Sequence, residues 1–171
     1  RKEHLEAMKP MNYGGGMIKA VYEDHSEWAD IPEKFEAGTP NVAGAIGFSA
    51  AIDYLKKIGM EEIRAHEINL NKYAIEMLLK IPDLEIIGTL EPEHRTGLVS
   101  FTVGDLHAHD ISAILNTEGV AVRSGHHCAM PLHTKLDIPA STRASYYLYN
   151  TEKDIDKLVA GVKKAVKILN P

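Results

Sequence analysis

The 171-residue sequence predicts an α+β layer from about residue 60 to the end, with an antiparallel sheet that carries helices on one face. The predicted elements follow the order helix, two strands, helix, two strands, helix. The first two strands, 84–87 and 97–103, are separated only by a polar turn around 91–95, which favours antiparallel neighbours. With 44% hydrophobic and 25% charged residues, the chain has enough apolar material for one core.

The first 59 residues do not complete a domain in this interpretation. Up to about Thr39 the sequence predicts loops and edges, because Pro10, the glycine run 14–16 and Pro32 interrupt any long regular element. This part is therefore expected to accompany a larger structure.

Two helices are predicted to follow. Asn41 can cap a helix over 42–58, where apolar residues recur at helical spacing, and Gly59 supplies its end. A second helix is predicted over 60–80, with Pro82 just beyond its end.

The remaining elements follow the first strand pair. A helix is predicted from His109 or Asp110 to about 118, then a strand over 120–123 and a loop over 124–131. Alternation predicts a strand over 143–148, and a closing helix runs from Thr151 to 168.

Composition excludes several functional classes. The net charge of −5 and the isoelectric point near 6.0 give no basic surface for nucleic acid. No apolar run reaches the roughly 18 residues of a membrane helix, and the N-terminus does not resemble a signal peptide. We therefore expect a cytoplasmic protein with no membrane partner.

The single cysteine, Cys128, has the most informative surroundings. It follows His126 and His127 and lies five residues after Arg123. A thiol is a strong nucleophile only as the thiolate, which nearby positive charge or an imidazole favours. Flanking glycine, histidine and proline argue against a packed apolar strand. The sequence predicts a functional thiol.

A zinc site is the rival interpretation of these side chains. The candidate ligands would be Cys128, His126 and His127, joined by His133, His107 or His109. Three consecutive residues rarely point at one ion, and the usual zinc spacings are absent. We therefore predict no metal. The pair His107 and His109 instead indicates a solvated helix start, which Asp110 favours electrostatically.

The segment 123–131, Arg-Ser-Gly-His-His-Cys-Ala-Met-Pro, closely resembles the active-cysteine motif of the group II, SufS-like cysteine desulfurases. Three other segments agree: Phe-Glu-Ala-Gly-Thr-Pro-Asn at 35–41, Arg-Ala-Ser at 143–145 and Tyr-Asn-Thr at 149–151. The resemblance therefore spans essentially the whole chain.

This resemblance implies the fold of a fold type I enzyme dependent on pyridoxal 5'-phosphate (PLP), within the class V aminotransferases. Residues 1–59 would be the C-terminal tail of the large PLP-binding domain. Residues 60–171 would be the small C-terminal domain with the active cysteine.

The resemblance also implies a role for each matching residue. Cys128 would take sulfur from L-cysteine, release L-alanine and carry a persulfide to a sulfur-acceptor protein for iron–sulfur cluster assembly. Arg143 would clamp the substrate carboxylate, since a guanidinium can bind both oxygens. Arg123 and His127 would line the substrate pocket.

The cofactor contacts are implied in the same way. Thr39, together with Gly38, would reach the PLP phosphate of the partner subunit in a homodimer. Without the resemblance, the Gly-Thr-Pro segment would indicate only a turn.

Two departures from the family pattern bear on these expectations. The lysine that binds PLP would precede residue 1, and Lys2 does not replace it, so the 171 residues alone are expected not to catalyse the complete reaction. The glutamate that usually follows the glycines is absent between Gly16 and Met17.

Three alternatives remain open. The complete protein could be a selenocysteine lyase, or this part could act alone as a persulfide carrier or docking domain. A neighbouring epimerase or kynureninase-like enzyme would not need the His-His-Cys motif.

Overall fold

The computed structural model describes residues 1–170. These residues form two compact units, one spanning Arg1–Lys57 and the other beginning at Ile58. Their interpretation as parts of a large and a small domain stays a prediction.

The first unit contains short elements and one long helix: α1 (Lys2–Ala7), β1 (Ile18–Val21), β2 (Ser26–Trp28), a 3-10 turn (Glu33–Phe35) and α2 (Val42–Ile58). The prediction that no long regular element precedes residue 39 agrees with the structure, but the short helix α1 and the antiparallel β1–β2 hairpin were not foreseen. Elements of three to six residues are too short to give a periodic hydrophobic pattern.

Helix α2 is confirmed with its predicted bounds. The side-chain Oδ1 of Asn41 accepts the backbone N–H of Gly44 at 2.9 Å, which satisfies one amide of the first turn. No residue of α2 is buried among the residues that the structure describes. Its apolar side chains Val42, Ile46 and Phe48 are 58%, 67% and 68% exposed.

The second unit contains four helices and four strands. In chain order they are α3 (Met60–Leu78), β3 (Leu84–Ile87), β4 (Leu98–Val103), α4 (Ala108–Thr117), β5 (Arg123–Gly125), α5 (Met130–Lys135), β6 (Ser141–Ser145) and α6 (Glu152–Leu169).

The four strands form one antiparallel sheet in the order β3-β4-β6-β5. Along β4, Val99, Phe101 and Val103 are buried, whereas Ser100 and Thr102 are half-buried, because successive side chains point to opposite faces. The buried face packs against α3, α4 and α6, which contribute Leu70, Leu78, Ile111, Leu115, Leu158 and Val162. The predicted antiparallel sheet with helices on one face is confirmed.

Three local predictions around the cysteine were wrong. Strand β5 begins at Arg123 rather than at 120, because Val120 and Val122 pack partly buried against the core and do not pair with a strand. Residues 130–135, predicted to include the end of a loop, form α5.

Strand β6 is also displaced from the predicted range 143–148. It includes Ser141 and Thr142, which are 1% and 0% exposed, and ends at Ser145. Tyr146 follows the strand and is buried, with its hydroxyl donating to Oδ1 of Asn71 at 2.6 Å. Burial raises the pKa of this hydroxyl.

The closing helix α6 has the predicted start. The backbone N–H of Thr151 donates to Oδ2 of Asp154 at 2.9 Å, and this bond lowers the pKa of the Asp154 carboxyl. Within residues 1–170, no helix combines the length and apolar content needed to cross a membrane.

Candidate active site

The loop after β5 turns sharply at the cysteine. Gly125, His127 and Cys128 have φ angles of 113°, 54° and 62°, and the N–H of Ala129 donates to the carbonyl of His126 at 2.8 Å. Left-handed backbone at a residue other than glycine costs on the order of 1–3 kcal/mol and is concentrated at functional sites. Two such residues in succession leave Cys128 exposed.

Arg123 contacts the thiol directly. Its Nη2 donates to Sγ of Cys128 at 3.2 Å, so the last strand before the loop places a guanidinium beside the sulfur. A fixed positive charge at this distance favours the thiolate, which is the nucleophilic form. Arg123 and Cys128 are five residues apart in the sequence, and the conformation of the loop brings their side chains into contact.

Arg123 and Arg143 lie directly opposite each other on β5 and β6. Like charges in this position destabilise a strand pair unless an anion lies between or beside them. No carboxylate within residues 1–170 forms a salt bridge with either side chain. The Nε of Arg143 is buried without a hydrogen-bond partner among the described residues. The arginine pair is therefore suited to bind an anionic ligand.

The alternation of β6 places this pair on the open face of the sheet. Thr142 and Ala144 are buried towards the helices, so Ser141 and Arg143 point to the opposite face. The second unit thus brings together Cys128, Arg123 on the edge strand β5 and Arg143 on the neighbouring strand β6.

His127 lies beside this arginine pair. Its Nε2 is 3.0 Å from Oγ of Ser141, and its Nδ1 is buried without a partner among the described residues. Burial lowers the pKa of the imidazole, and the positive charge of Arg143 lowers it further. His127 is therefore neutral at physiological pH.

His133 is a residue of this site that sequence reasoning considered only as a zinc ligand. It is 5% exposed, and its Nδ1 lies 3.1 Å from the carbonyl of Ala129, while its Nε2 lies 3.0 Å from Oγ of Ser141. The spacing of four residues to Ala129 fits one helical turn. The contact with Ser141 depends on the tertiary fold and leaves no signal in the sequence.

The other histidines have structural surroundings. His126 is half-buried with its ring 5.5 Å from that of His133 in an edge-on arrangement. His107 precedes α4 and its Nδ1 accepts the backbone N–H of His109 at 3.2 Å, so the predicted helix start is confirmed. Residues 1–170 contain no group of three or more His, Cys, Asp or Glu side chains placed to hold a metal ion.

Gly38 and Thr39 belong to the first unit, where Gly38 contacts the glycine run 14–16. The N–H of Gly38, which has φ of 89°, donates to the carbonyl of Gly15 at 2.8 Å. A Cβ on Gly14 would lie only 3.1 Å from the nitrogen of Gly38, so the close approach favours glycine. Thr39 is exposed, and neither its hydroxyl nor its N–H has a hydrogen-bond partner in the described part of the chain.

Residues 1–158 match the family described as aminotransferase class-V. The chain belongs to this family. A cysteine desulfurase from Haloferax volcanii is 50% identical over 165 residues, which are 96% of this chain and 38% of that protein.

Two solved structures agree with this membership. The cysteine desulfurase from Thermococcus onnurineus, solved in its apo form, superimposes with a TM-score of 0.89 at 39% identity and covers 98% of this chain and 42% of its own. The cysteine desulfurase CsdA from Escherichia coli gives a TM-score of 0.88 at 35% identity, covering 98% of this chain and 41% of its own. The chain therefore spans less than half the length of the relatives that it matches.

Proposed function

We propose that this chain is part of a PLP-dependent cysteine desulfurase. The complete enzyme takes sulfur from L-cysteine, releases L-alanine and holds the sulfur as a persulfide on Cys128. One observation carries this proposal: the exposed Sγ of Cys128 lies 3.2 Å from the guanidinium of Arg123, on a strained turn beside the unpaired Arg143. Relatives named as cysteine desulfurases support it.

The described residues fit a bound phosphate group. Thr39 offers a hydroxyl and an amide that lack other partners, and Gly38 fixes the local turn through its bond to Gly15. These donors suit an anion. PLP, when bound, supplies an electron sink that weakens the substrate's carbon–sulfur bond.

The residues of the second unit account for the sulfur step. Arg143 binds the substrate carboxylate, and Arg123 donates to the sulfur of Cys128, which reacts as the thiolate. The thiolate attacks the substrate sulfur, so that a sulfur–sulfur bond forms while the bond from that sulfur to Cβ breaks. The electron pair of the broken bond remains with the carbon fragment, which takes up a proton and leaves as alanine.

The exposure of Cys128 supports transfer to an acceptor protein. A persulfide at this position can be reached by the thiol of a second protein without opening the core. The iron–sulfur cluster assembly machinery is the proposed destination. Selenocysteine would react with the same thiol, so turnover of the two substrates has to be compared to determine which one the enzyme prefers.

We also propose a homodimer in the cytoplasm. The uncovered apolar side chains of α2 support burial in a larger assembly, and the family resemblance, which implies that Thr39 reaches the PLP phosphate of a partner subunit, agrees with a dimer. An exposed free thiol supports a reducing compartment.

The test is turnover by the purified full-length protein with L-cysteine and with L-selenocysteine. We expect L-alanine from cysteine, together with sulfur that a thiol acceptor can collect. Cys128→Ser should abolish sulfur transfer while retaining PLP absorbance, because serine keeps the volume but holds no persulfide. Absence of alanine from both substrates with the PLP-loaded protein would refute the proposed activity.

A further inference from the structure

Ser141 lies between two imidazoles on the open face of the sheet. Its Oγ is 3.0 Å from Nε2 of His127 and 3.0 Å from Nε2 of His133. Ser141 is 1% exposed, so solvent does not replace either contact. A hydroxyl carries one hydrogen, and it can therefore donate to only one of the two rings while it accepts from the other.

The carbonyl of Ala129 fixes the direction of this chain of hydrogen bonds. A carbonyl only accepts, so Nδ1 of His133, at 3.1 Å, carries a hydrogen. In a neutral His133 the Nε2 is then the acceptor, and Ser141 donates to it. Oγ of Ser141 consequently accepts from Nε2 of His127, and Nδ1 of His127 keeps its lone pair.

The reverse direction requires a charged His133. If Ser141 donated to His127, both nitrogens of His133 would have to donate. His133 is 5% exposed, and no carboxylate within residues 1–170 forms a salt bridge with it. A buried charge without a counter-ion is strongly unfavourable. The neutral arrangement is therefore the stable one.

The groups around His127 oppose a proton on its remaining nitrogen. Burial is the largest cause of the lowered pKa of His127, and Arg143 on β6 and Arg123 on β5 lower it further, as a proton on His133 of α5 also would; a backbone hydrogen bond of Ser141 acts in the opposite sense. The Nδ1 atom is thus buried, unprotonated and without a partner in the described residues. A ligand group that meets it must be a hydrogen-bond donor.

We propose that Ser141 and His133 are positioning residues that hold His127 with its hydrogen on Nε2 and a free lone pair on Nδ1. An α-amino acid with a thiol side chain has the complementary groups, because its carboxylate accepts from Arg143 and its thiol can donate to Nδ1. The consequence for catalysis rests on the proposed desulfurase function. The tautomer assignment itself does not depend on that function.

Nitrogen NMR of the full-length protein labelled with ¹⁵N-histidine tests the assignment, with His127→Gln identifying the signal. We expect wild-type His127 to show a protonated Nε2 and an unprotonated Nδ1 at neutral pH. Ser141→Ala should give a mixture of tautomers, and Ser141→Thr, which keeps the hydroxyl, should restore one. Thr134→Ala, which removes an exposed hydroxyl from the same helix as His133, is the matched control and should change nothing.

Two outcomes overturn the proposal: a protonated Nδ1 in wild-type His127, or an unchanged tautomer in Ser141→Ala. The wild-type spectrum alone shows whether Nδ1 of His127 is protonated. The proposal can therefore be tested even if the Ser141→Ala variant folds poorly. In the turnover assay, Ser141→Ala should lower kcat/KM by about 2- to 10-fold, the effect of one hydrogen bond. Since the spectra need no turnover, a wrong tautomer assignment and a failed desulfurase proposal are distinguishable.

Discussion

At the scale of single residues, the candidate site is defined by the distribution of positive charge around one thiol. Arg123 contacts Cys128, and Arg143 faces Arg123 across the strand pair. The nearby His127 has a lowered pKa and stays neutral. This arrangement separates two tasks. The guanidinium of Arg123 contacts the nucleophilic sulfur, and the guanidinium of Arg143 is free to bind a substrate anion.

Replacing Arg123 with alanine should slow alkylation of Cys128 at neutral pH by about 2- to 5-fold, a modest effect because the pair is exposed to solvent. The iodoacetamide rate followed against pH measures it. Lys135→Ala removes the same charge from α5 and should leave the rate near the wild-type value. If the folded protein resists alkylation until it is denatured, the exposed reactive thiol is disproved.

Replacing Arg143 with alanine should mainly weaken cysteine binding, by about 2–5 kcal/mol if the carboxylate pair is desolvated in the complex. The reason is its buried, unpartnered Nε, which no other described residue satisfies. Calorimetric or spectral titration with L-cysteine in the full-length protein gives the affinity. Unchanged affinity would remove Arg143 from the substrate site.

His127 should make stability depend on pH. Its pKa is lowered in the folded state, so both states are neutral above about pH 6.5 and the imidazole adds no pH dependence there. Below that value the unfolded chain takes up a proton that the folded chain refuses, and the free energy of unfolding falls. His127→Gln should reduce this fall between pH 7 and 5.5 in urea unfolding. An identical pH dependence in both proteins would contradict the lowered pKa.

At the scale of elements, long periodic segments were predictable and short ones were not. Helix α2 has its predicted bounds because the Asn41 cap and the helical spacing agree, and the capping box at Thr151 starts α6 as predicted. Strand β5 and helix α5 are too short to show a period. The limits of β5 are set by its pairing with β6, a contact between residues that are distant in sequence.

The residues of the candidate site also fall into a predictable and an unpredictable group. The motif identified Cys128 and Arg123, whose contact arises within one loop. The roles of Ser141 and His133 could not be predicted, because hydrogen bonds across the tertiary fold place them beside His127.

Substitution of Phe101 on β4 tests which face of the sheet forms the core. Its side chain is fully buried against the helices, so Phe101→Ala should cost about 3–5 kcal/mol in free energy of unfolding. Thr102→Ala, on the opposite face of the same strand, should change it far less. Urea denaturation compares the two variants. A similar small loss in both would mean that the assigned core face of β4 is wrong.

At the scale of the whole molecule, the residues assigned to the reaction are distributed over both units. Cys128, Arg123, Arg143 and His127 lie in the second unit, whereas Gly38 and Thr39 lie in the first. The chain spans 38% of its Haloferax volcanii relative, so the proposed activity belongs to the complete protein. Because Cys128 and Thr39 lie in different units, the reactivity of the thiol can be measured separately from the binding of PLP.

The most direct test of the central proposal is the mass of the Cys128 peptide after the full-length protein has reacted once with L-cysteine and free persulfides have been trapped. The account predicts one added sulfur on Cys128 and its loss when an acceptor thiol is supplied. An unmodified Cys128 peptide despite formation of one equivalent of L-alanine, before any acceptor is added, would contradict it.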